Sequence, residues 1–218
     1  MTALELKDVS ISIADTGRRL VADLNLKVEA GSVTTIMGPS GSGKSSLLAF
    51  IAGHLEPPLR GSGTAICGET EISGLPPELR KIGILFQDDM LFPHLTVGGN
   101  LNFGLSATVR GRRERMQRIE AALSRSGLDG FAGRDPASLS GGQRARVALL
   151  RTLLSEPRAL LLDEPFSKLD ATMRDDIRDF VFMQAAEQHI PVLLVTHDEE
   201  DARIAMGPVF DISEYARP

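Results

Sequence analysis

The stretch GPSGSGKSSLL, residues 38–48, constrains the fold of this chain more than any other part of its sequence. It fits the pattern of a glycine, four residues, a second glycine, a lysine and a hydroxyl residue, here Gly38, Gly43, Lys44 and Ser45. Glycines let backbone N–H groups approach phosphate oxygens, the lysine neutralises their charge, and the hydroxyl can ligate Mg²⁺. VTTIM before the motif and KSSLLAFIAG around its end predict a strand, a phosphate-binding loop and a helix.

A glycine- and serine-rich turn can arise by chance, but the flanking strand and helix are the context that the motif requires. The sequence therefore predicts an α/β fold that binds a nucleotide. The residues that we expect to bind the nucleotide are Gly38, Ser40, Gly41, Gly43, Lys44, Ser45 and Ser46.

A second apolar run, ALLLDEP at residues 159–165, ends in two carboxylates. A buried parallel strand delivers such residues to its carboxyl end, where ligands bind in open α/β sheets. Asp163 is then the candidate for the Mg²⁺ shell, and Glu164 the candidate for accepting a proton from an attacking water or orienting it. An acidic pair at a strand end is most often only solvated; the phosphate loop in the same chain favours the catalytic interpretation.

Two further apolar strands end in polar residues. His197 follows IPVLLVT and Gln87 follows IGILF, so both side chains are expected at the same edge of the sheet as the carboxylates. Each is weak evidence alone. Their convergence predicts a site for Mg²⁺ and phosphate.

A second helix start suited to an anion occurs in SLSGGQRARVALLR, residues 138–151. Its candidate residues are Ser140, Gly141, Gly142 and Gln143. No second lysine accompanies them, and 218 residues are too few for two nucleotide-binding domains. The alternative is an ordinary helix cap.

The remaining patterns predict a single domain over residues 1–218. LELKDVSISI and LVADLNLKVEA alternate as an antiparallel strand pair, while GTAICGETEI and KIGILFQ each indicate a strand. Residues 89–158 are predicted to form a mostly helical subdomain that includes the second helix start. Residues 1–88 and 159–218 are predicted to form the α/β core with the antiparallel β subdomain, including a helix near 171–188.

Composition narrows the class of protein. A hydrophobic content of 42% supports a core, and a formal net charge of −5 argues against nucleic-acid binding. The five arginines of residues 110–118 could bind an anionic surface, but we interpret them as a solvated helix start or loop. One cysteine, Cys67, requires no oxidising compartment, and no apolar run is long enough to span a membrane. We expect a cytosolic setting in which another chain supplies any membrane span.

Taken together and in this order, GPSGSGKSS, Gln87, LSGGQ, LLLDEP, SKLD and VTHD resemble the ATP-binding subunits of ABC transporters over nearly the whole chain. The resemblance implies a phosphate-loop NTPase of the ABC type, with a RecA-like α/β core, that hydrolyses ATP with Mg²⁺. It implies that Gln87 contacts Mg²⁺ and the attacking water, Glu164 is the catalytic base and His197 holds the γ-phosphate. Residues 167–170 would signal between two sites.

The resemblance also explains the second helix start. In this family two subunits pack head to tail, and Ser140, Gly141, Gly142 and Gln143 serve the ATP bound to the neighbour. Such a site needs no second lysine because the charge is already balanced by Lys44 of the other subunit and Mg²⁺. The resemblance therefore implies a dimer, most simply of identical chains.

The segment FQDDMLFPHLTVGGNL, residues 86–101, resembles ATPase subunits of bacterial importers for thiamine, polyamines, iron and sulfate. There it forms part of the groove for the coupling helix of a membrane permease. Met90, Leu91 and Phe92 suit such a groove, and simple core packing is the alternative interpretation. The resemblance implies a permease, an extracytoplasmic solute-binding protein and a peripheral location on the cytoplasmic face of the membrane. A soluble ABC ATPase without a transport role, or the ATPase of an exporter or lipoprotein-release system, is the alternative.

Three features depart from the family pattern. Ile13 stands where the family usually has an aromatic residue that stacks on adenine, and Lys168 replaces a small residue of the signalling loop. The chain also ends at Pro218, shortly after His197, so we expect no closing strands and no regulatory domain.

Overall fold

The computed structural model describes residues 2–216, which form two compact units. The first contains the described residues up to Ile84, Arg158–Glu164 and the chain from Phe182 onward. The second contains Leu85–Pro157 and Pro165–Val181. The predicted boundaries at residues 88 and 158 stay a prediction.

The strands of the described residues form two sheets, with orders β2-β1-β4-β5 and β6-β7-β8-β3-β9. In chain order they are β1 Leu4–Ile13, β2 Arg19–Val28, β3 Val33–Met37, β4 Leu59–Cys67, β5 Thr70–Glu71, β6 Ile82–Leu85, β7 Ala159–Asp163, β8 Val192–Val195 and β9 Val209–Asp211. The predicted α/β fold with an antiparallel β subdomain is confirmed.

The first sheet contains the predicted antiparallel pair of β1 and β2. Its register shifts between Leu6 and Val9, where Asp8 has a φ of 50°. Asp8 and Asn25 exchange hydrogen bonds across this irregularity, at 3.0 and 2.9 Å. The shift keeps Val9 and Ile11 on the buried face despite the break in alternation. The predicted strand GTAICGETEI is instead two strands, because the chain turns after β4 before pairing back as β5.

The second sheet is built on parallel pairs of β7 with β8, β8 with β3 and β3 with β9. Its central strands are almost entirely buried, as expected for apolar runs covered on both faces. The expectation that no closing strand follows His197 is wrong: β9 pairs with β3 from Thr35 opposite Val209 to Met37 opposite Asp211.

The α-helices of the described residues are α1 Lys44–Ala52, α2 Pro77–Arg80, α3 Val97–Gly104, α4 Arg112–Arg125, α5 Gly141–Leu153, α6 Ala171–Glu187 and α7 Glu199–Ala205. None of them is both long and apolar enough to cross a membrane. In the first unit, α1 packs within a core shared by both sheets. That core includes Leu4, Ile11, Val28, Ile36, Leu47, Ile51, Leu161 and Leu193.

The second unit packs α3, α4 and α5 against one another around Leu101, Ile119 and Val147. The arginine-rich stretch at residues 110–118 opens α4. Arg115 donates to the side-chain oxygen of Asn102 at 2.7 Å, and Arg118 forms exposed ion pairs. These contacts agree with the interpretation as a solvated helix start.

Candidate functional site

The phosphate loop lies between β3 and α1, as its sequence predicts. Gly38 and Gly43 adopt φ values of 145° and 97°, a region that side chains strongly disfavour. A Cβ on Gly38 would also lie 2.8 Å from Cγ2 of Ile212. The loop therefore requires glycine at both positions to hold its backbone in this shape.

The loop and the start of α1 fit a phosphate. No side chain of the described residues caps the first turn of α1, so its N–H groups keep their capacity to bind an anion. The hydroxyl of Ser42, in this loop, is buried and has no hydrogen-bond partner among the described residues. Lys44 is 6% exposed, and its ammonium donates to the carbonyls of Gly38 and Pro39 at 2.7 and 2.9 Å. The cation thus lies over the loop.

Two oxygen ligands suited to Mg²⁺ meet beside this loop. The hydroxyl of Ser45 donates to Oδ1 of Asp163 at 3.2 Å, although 118 positions separate the two residues. Burial raises the pKa of Asp163, and the nearby charge of Glu164 raises it further; the Ser45 hydrogen bond and Lys44 oppose this shift. Because Mg²⁺ keeps several waters and binds substrate phosphates, one hydroxyl and one carboxylate are an adequate protein contribution.

Glu164 and His197 also lie together. They follow the adjacent strands β7 and β8, and Oε1 of Glu164 is 3.3 Å from Nδ1 of His197. Glu164 has a φ of 47°, and its N–H donates to the carbonyl of Val195 at 2.9 Å. A left-handed backbone at a glutamate is a strained arrangement of the kind found at functional sites. Its side chain is three-quarters buried, whereas that of His197 is largely exposed.

The second helix start lies in the second unit and forms a capping box. The N–H of Gln143 donates to the Ser140 hydroxyl at 3.3 Å, and the N–H of Ser140 donates to the Gln143 side chain at 3.0 Å. The alternative interpretation as a helix cap is therefore correct for these two side chains. The capping box uses the N–H groups of Ser140 and Gln143 and not those of Gly141 and Gly142, so it remains compatible with anion binding.

Gln87 lies in the second unit as well, beyond β6. It lines a cavity of about 130 Å³ together with Gly141, Arg144 and Lys168. Thus the structure brings Ser45 together with Asp163 and Glu164 with His197 in the first unit, and Gln87 near Gly141 in the second.

Two arginines of α5 hold the post-glutamine loop, residues 88–92, and sequence reasoning missed both. Arg144 donates to the carboxylate of Asp89 at 2.9 Å. Arg151 donates to the carbonyls of Met90 and Asp89 at 2.7 and 3.2 Å, and its guanidinium lies 5.4 Å from the centre of the Phe92 ring. Their separation by seven positions, which places both on one helix face, was the available signal.

A glycine-rich loop before a buried lysine, a serine and an aspartate whose oxygens are suited to Mg²⁺, and a capped SGGQ helix are typical of a phosphate-loop ATPase of the ABC class. A sequence model of the family described as "ABC transporter" matches residues 21–167. The chain belongs to this family, and its members bind and hydrolyse ATP to power transport.

The chain is 46% identical over 211 residues to the uncharacterized ABC transporter ATP-binding protein YnjD of Escherichia coli, covering 97% of this chain and 95% of that protein. It is 44% identical over 180 residues to the sulfate/thiosulfate import ATP-binding protein CysA of Nocardia farcinica, covering 83% of this chain and 54% of the relative. It is 44% identical over 174 residues to the thiamine import ATP-binding protein ThiQ of Mesorhizobium japonicum, covering 80% and 68%. The chain thus spans about half the length of the sulfate relative.

Proposed function

We propose that this protein is the ATPase subunit of a transporter that imports a small solute through a separate membrane permease. Two copies of the chain bind ATP between them on the cytoplasmic face of the membrane, and a solute-binding protein delivers the solute from outside. The relatives named for sulfate/thiosulfate and thiamine import support the direction and the small size of the solute.

One observation carries the permease part of the proposal, the Phe92 patch formed by Met90, Phe92 and Phe103. Met90 and Phe103 are 59% and 70% exposed, while the Phe92 ring lies 4.7 Å edge-on from that of Phe103. Arg151 fixes the backbone beneath Met90. Large apolar side chains held in place at a surface are typical of a protein contact. The apolar surface of a permease helix would match the chemistry of this patch.

We assign the phosphate contacts to the loop. Gly38, Ser40, Gly41 and Gly43 present backbone N–H groups, Lys44 neutralises charge and Ser46 lies in the first turn of α1. Ser45 and Asp163 would hold Mg²⁺ through the hydroxyl and the carboxylate that meet beside the loop. The ion supplies charge neutralisation at the phosphates when it is bound.

We assign the hydrolytic step to Glu164 and its neighbours. Its carboxylate accepts the proton of the attacking water, and a protonated Nδ1 of His197 orients that carboxylate through the 3.3 Å contact. Nε2 of His197 donates to the γ-phosphate when it also carries a proton, since a phosphate oxygen can only accept a hydrogen bond. For Gln87 we keep the role of positioning a water that the resemblance to the family implies.

The capped helix start completes the site of the second subunit. Ser140 and Gln143 hold the first turn of α5 in place, and the N–H groups of Gly141 and Gly142 bind the γ-phosphate held by the neighbour. This assignment explains why only one of the two anion-binding motifs contains a lysine. Each ATP contacts the phosphate loop of one subunit, with its Lys44, and the SGGQ helix start of the other.

Reconstitution tests the permease assignment. The protein is purified from detergent-solubilised native membranes with its partners, and ATP hydrolysis is measured with and without permease and loaded binding protein. Phe92→Ala removes the anchor of the patch, so the ratio of stimulated to unstimulated rate should fall to about one. Phe131→Ala is the matched control, because Phe131 is a partly exposed ring of the same unit that stacks under Arg134, outside the patch.

The proposal fails if Phe92→Ala lowers both rates equally, because the stimulation ratio is then intact and Phe92 is a packing residue. It also fails if no multispanning protein co-purifies. Recovery with ribosomal or chromosomal proteins identifies an ABC ATPase outside transport, and recovery with an exporter reverses the direction.

A further inference from the structure

Lys168, where the sequence departs from the family pattern, forms an ion pair with Asp88. Both residues belong to the second unit, and their side chains are 53% and 72% exposed. Asp88 directly follows Gln87, and Lys168 lies two positions before Asp170. The pair thus links the loop after Gln87, to which we assign water positioning, with residues 167–170, for which the resemblance implies signalling between two sites.

Each loop is anchored to a helix beyond this link. Asp89 accepts a hydrogen bond from Arg144 of α5, so the post-glutamine loop is fixed on one side. Asp170 accepts from the N–H of Met173 at 3.0 Å in the first turn of α6. Asp88 and Lys168 also line the same 130 Å³ cavity. The Asp88–Lys168 pair is therefore a direct side-chain bridge between two separately anchored loops.

We propose that Lys168 is a positioning residue, whose ion pair with Asp88 holds residues 167–170 against the loop that follows Gln87. An exposed ion pair is a weak interaction that forms and breaks readily. Such a tether favours one relative arrangement of the two loops without locking it. The inference rests on the proposed roles of Gln87 and residues 167–170.

The proposal predicts a change in turnover without a change in ATP affinity. Loss of the tether lets the loops sample more arrangements, of which fewer are productive, so kcat falls. Lys168 and Asp88 are not among the residues assigned to ATP, so KM stays constant. Given the strength of exposed pairs, Lys168→Met and Asp88→Asn should each lower basal kcat by about 2- to 5-fold.

The decisive experiment is a double-mutant cycle on ATP hydrolysis by the isolated protein. The double variant Asp88→Asn/Lys168→Met should be no slower than either single variant, since one tether is lost in all three. The charge exchange Asp88→Lys/Lys168→Asp should recover at least half of wild-type kcat. Raising the salt concentration should bring wild type and Lys168→Met together.

The matched control is the pair of Lys27 and Glu29, which is 54% and 66% exposed and lies outside both loops. Lys27→Met and Glu29→Gln should leave kcat at the wild-type value. Thermal melting of every variant shows whether it is folded.

Additive losses in the double variant, no loss in the single variants, or a folded charge exchange without recovery would each overturn the tether. Because the measurement is made without permease, it is independent of the import proposal. If a permease does not stimulate ATP hydrolysis, the import proposal is contradicted, but the double-mutant cycle on the isolated protein can still be interpreted.

Discussion

Ile13 is the residue at which nucleotide recognition departs most from the family pattern. It ends β1, is half-buried, and donates its N–H to the carbonyl of Arg18 at 2.9 Å. An aliphatic side chain contacts a base but offers no ring for stacking. The binding energy of this protein should therefore come chiefly from the triphosphate.

We predict weak discrimination between bases. Stacking of an aromatic side chain on a base is worth about 1 to 3 kcal/mol, so without it GTP should bind within about tenfold of ATP. Ile13→Tyr should raise the affinity for ATP by about fivefold or more for the same reason. Calorimetric titration measures both.

Ser12→Tyr is the control for Ile13→Tyr, because successive side chains of a strand point to opposite faces. It should leave the affinity for ATP unchanged. A strong preference of the wild type for ATP, or an unchanged affinity in Ile13→Tyr, would mean that another residue recognises adenine.

At the scale of elements, both ends of α1 are fixed by contacts to its backbone. Its first turn follows the phosphate loop directly, and carbonyls of its last turn accept hydrogen bonds from the side chain of Arg80. That guanidinium is nearly buried and donates to the carbonyls of Phe50 and Ile51 at 2.8 and 3.0 Å. It also donates to Ser73 and Leu75, both at 2.7 Å. A cation at the C-terminal end of a helix complements the helix dipole.

We predict that Arg80 stabilises the fold of the first unit. Arg80→Met keeps a long side chain but removes one hydrogen-bond donor from each of four carbonyls, so the free energy of unfolding should fall by about 2 to 4 kcal/mol. Urea unfolding followed by circular dichroism measures this loss. The exposed Arg60 of β4 is the control, and Arg60→Met should change stability by less than about 0.5 kcal/mol. Equal losses in the two variants would contradict the assignment.

Elements with a strong local pattern were predictable, and contacts between distant residues were not. ALLLD and VLLV are apolar runs, and VTTIM precedes the glycine-rich motif; each is a buried strand. β9 has only three residues with no buried member, so no apolar pattern marked it. Arg80 reaches carbonyls about thirty positions away. No spacing in the sequence indicated this contact.

The candidate site follows the same division. The phosphate loop is a local motif. From the rule that parallel strands end at one edge we expected Glu164 and His197 at the same edge, and the structure places their side chains 3.3 Å apart. The left-handed backbone of Glu164 and the hydrogen bonds of Arg144 and Arg151 to the post-glutamine loop depend on tertiary packing. The pattern of hydrophobic residues in the sequence therefore did not predict them.

At the scale of the whole molecule, one chain carries one phosphate loop and one SGGQ helix start. Each presents backbone N–H groups at a helix N-terminus, and only the first has a lysine within its sequence motif. If each ATP uses the loop of one chain and the helix start of another, ATP is the link between two copies. Dimer formation then depends on ATP that is bound and not yet hydrolysed.

The most direct test of this account is the mass of Glu164→Gln in solution, measured by light scattering with Mg-ATP. The variant should bind ATP without hydrolysing it and should have twice the mass of one chain, while the same variant without nucleotide stays monomeric. Glu164→Gln/Lys44→Ala should remain monomeric, because loss of charge-assisted contacts to phosphate weakens ATP binding by roughly 10- to 100-fold. A Glu164→Gln protein that is saturated with ATP and monomeric at every concentration, beside wild-type hydrolysis that is first order in enzyme, would contradict the shared site.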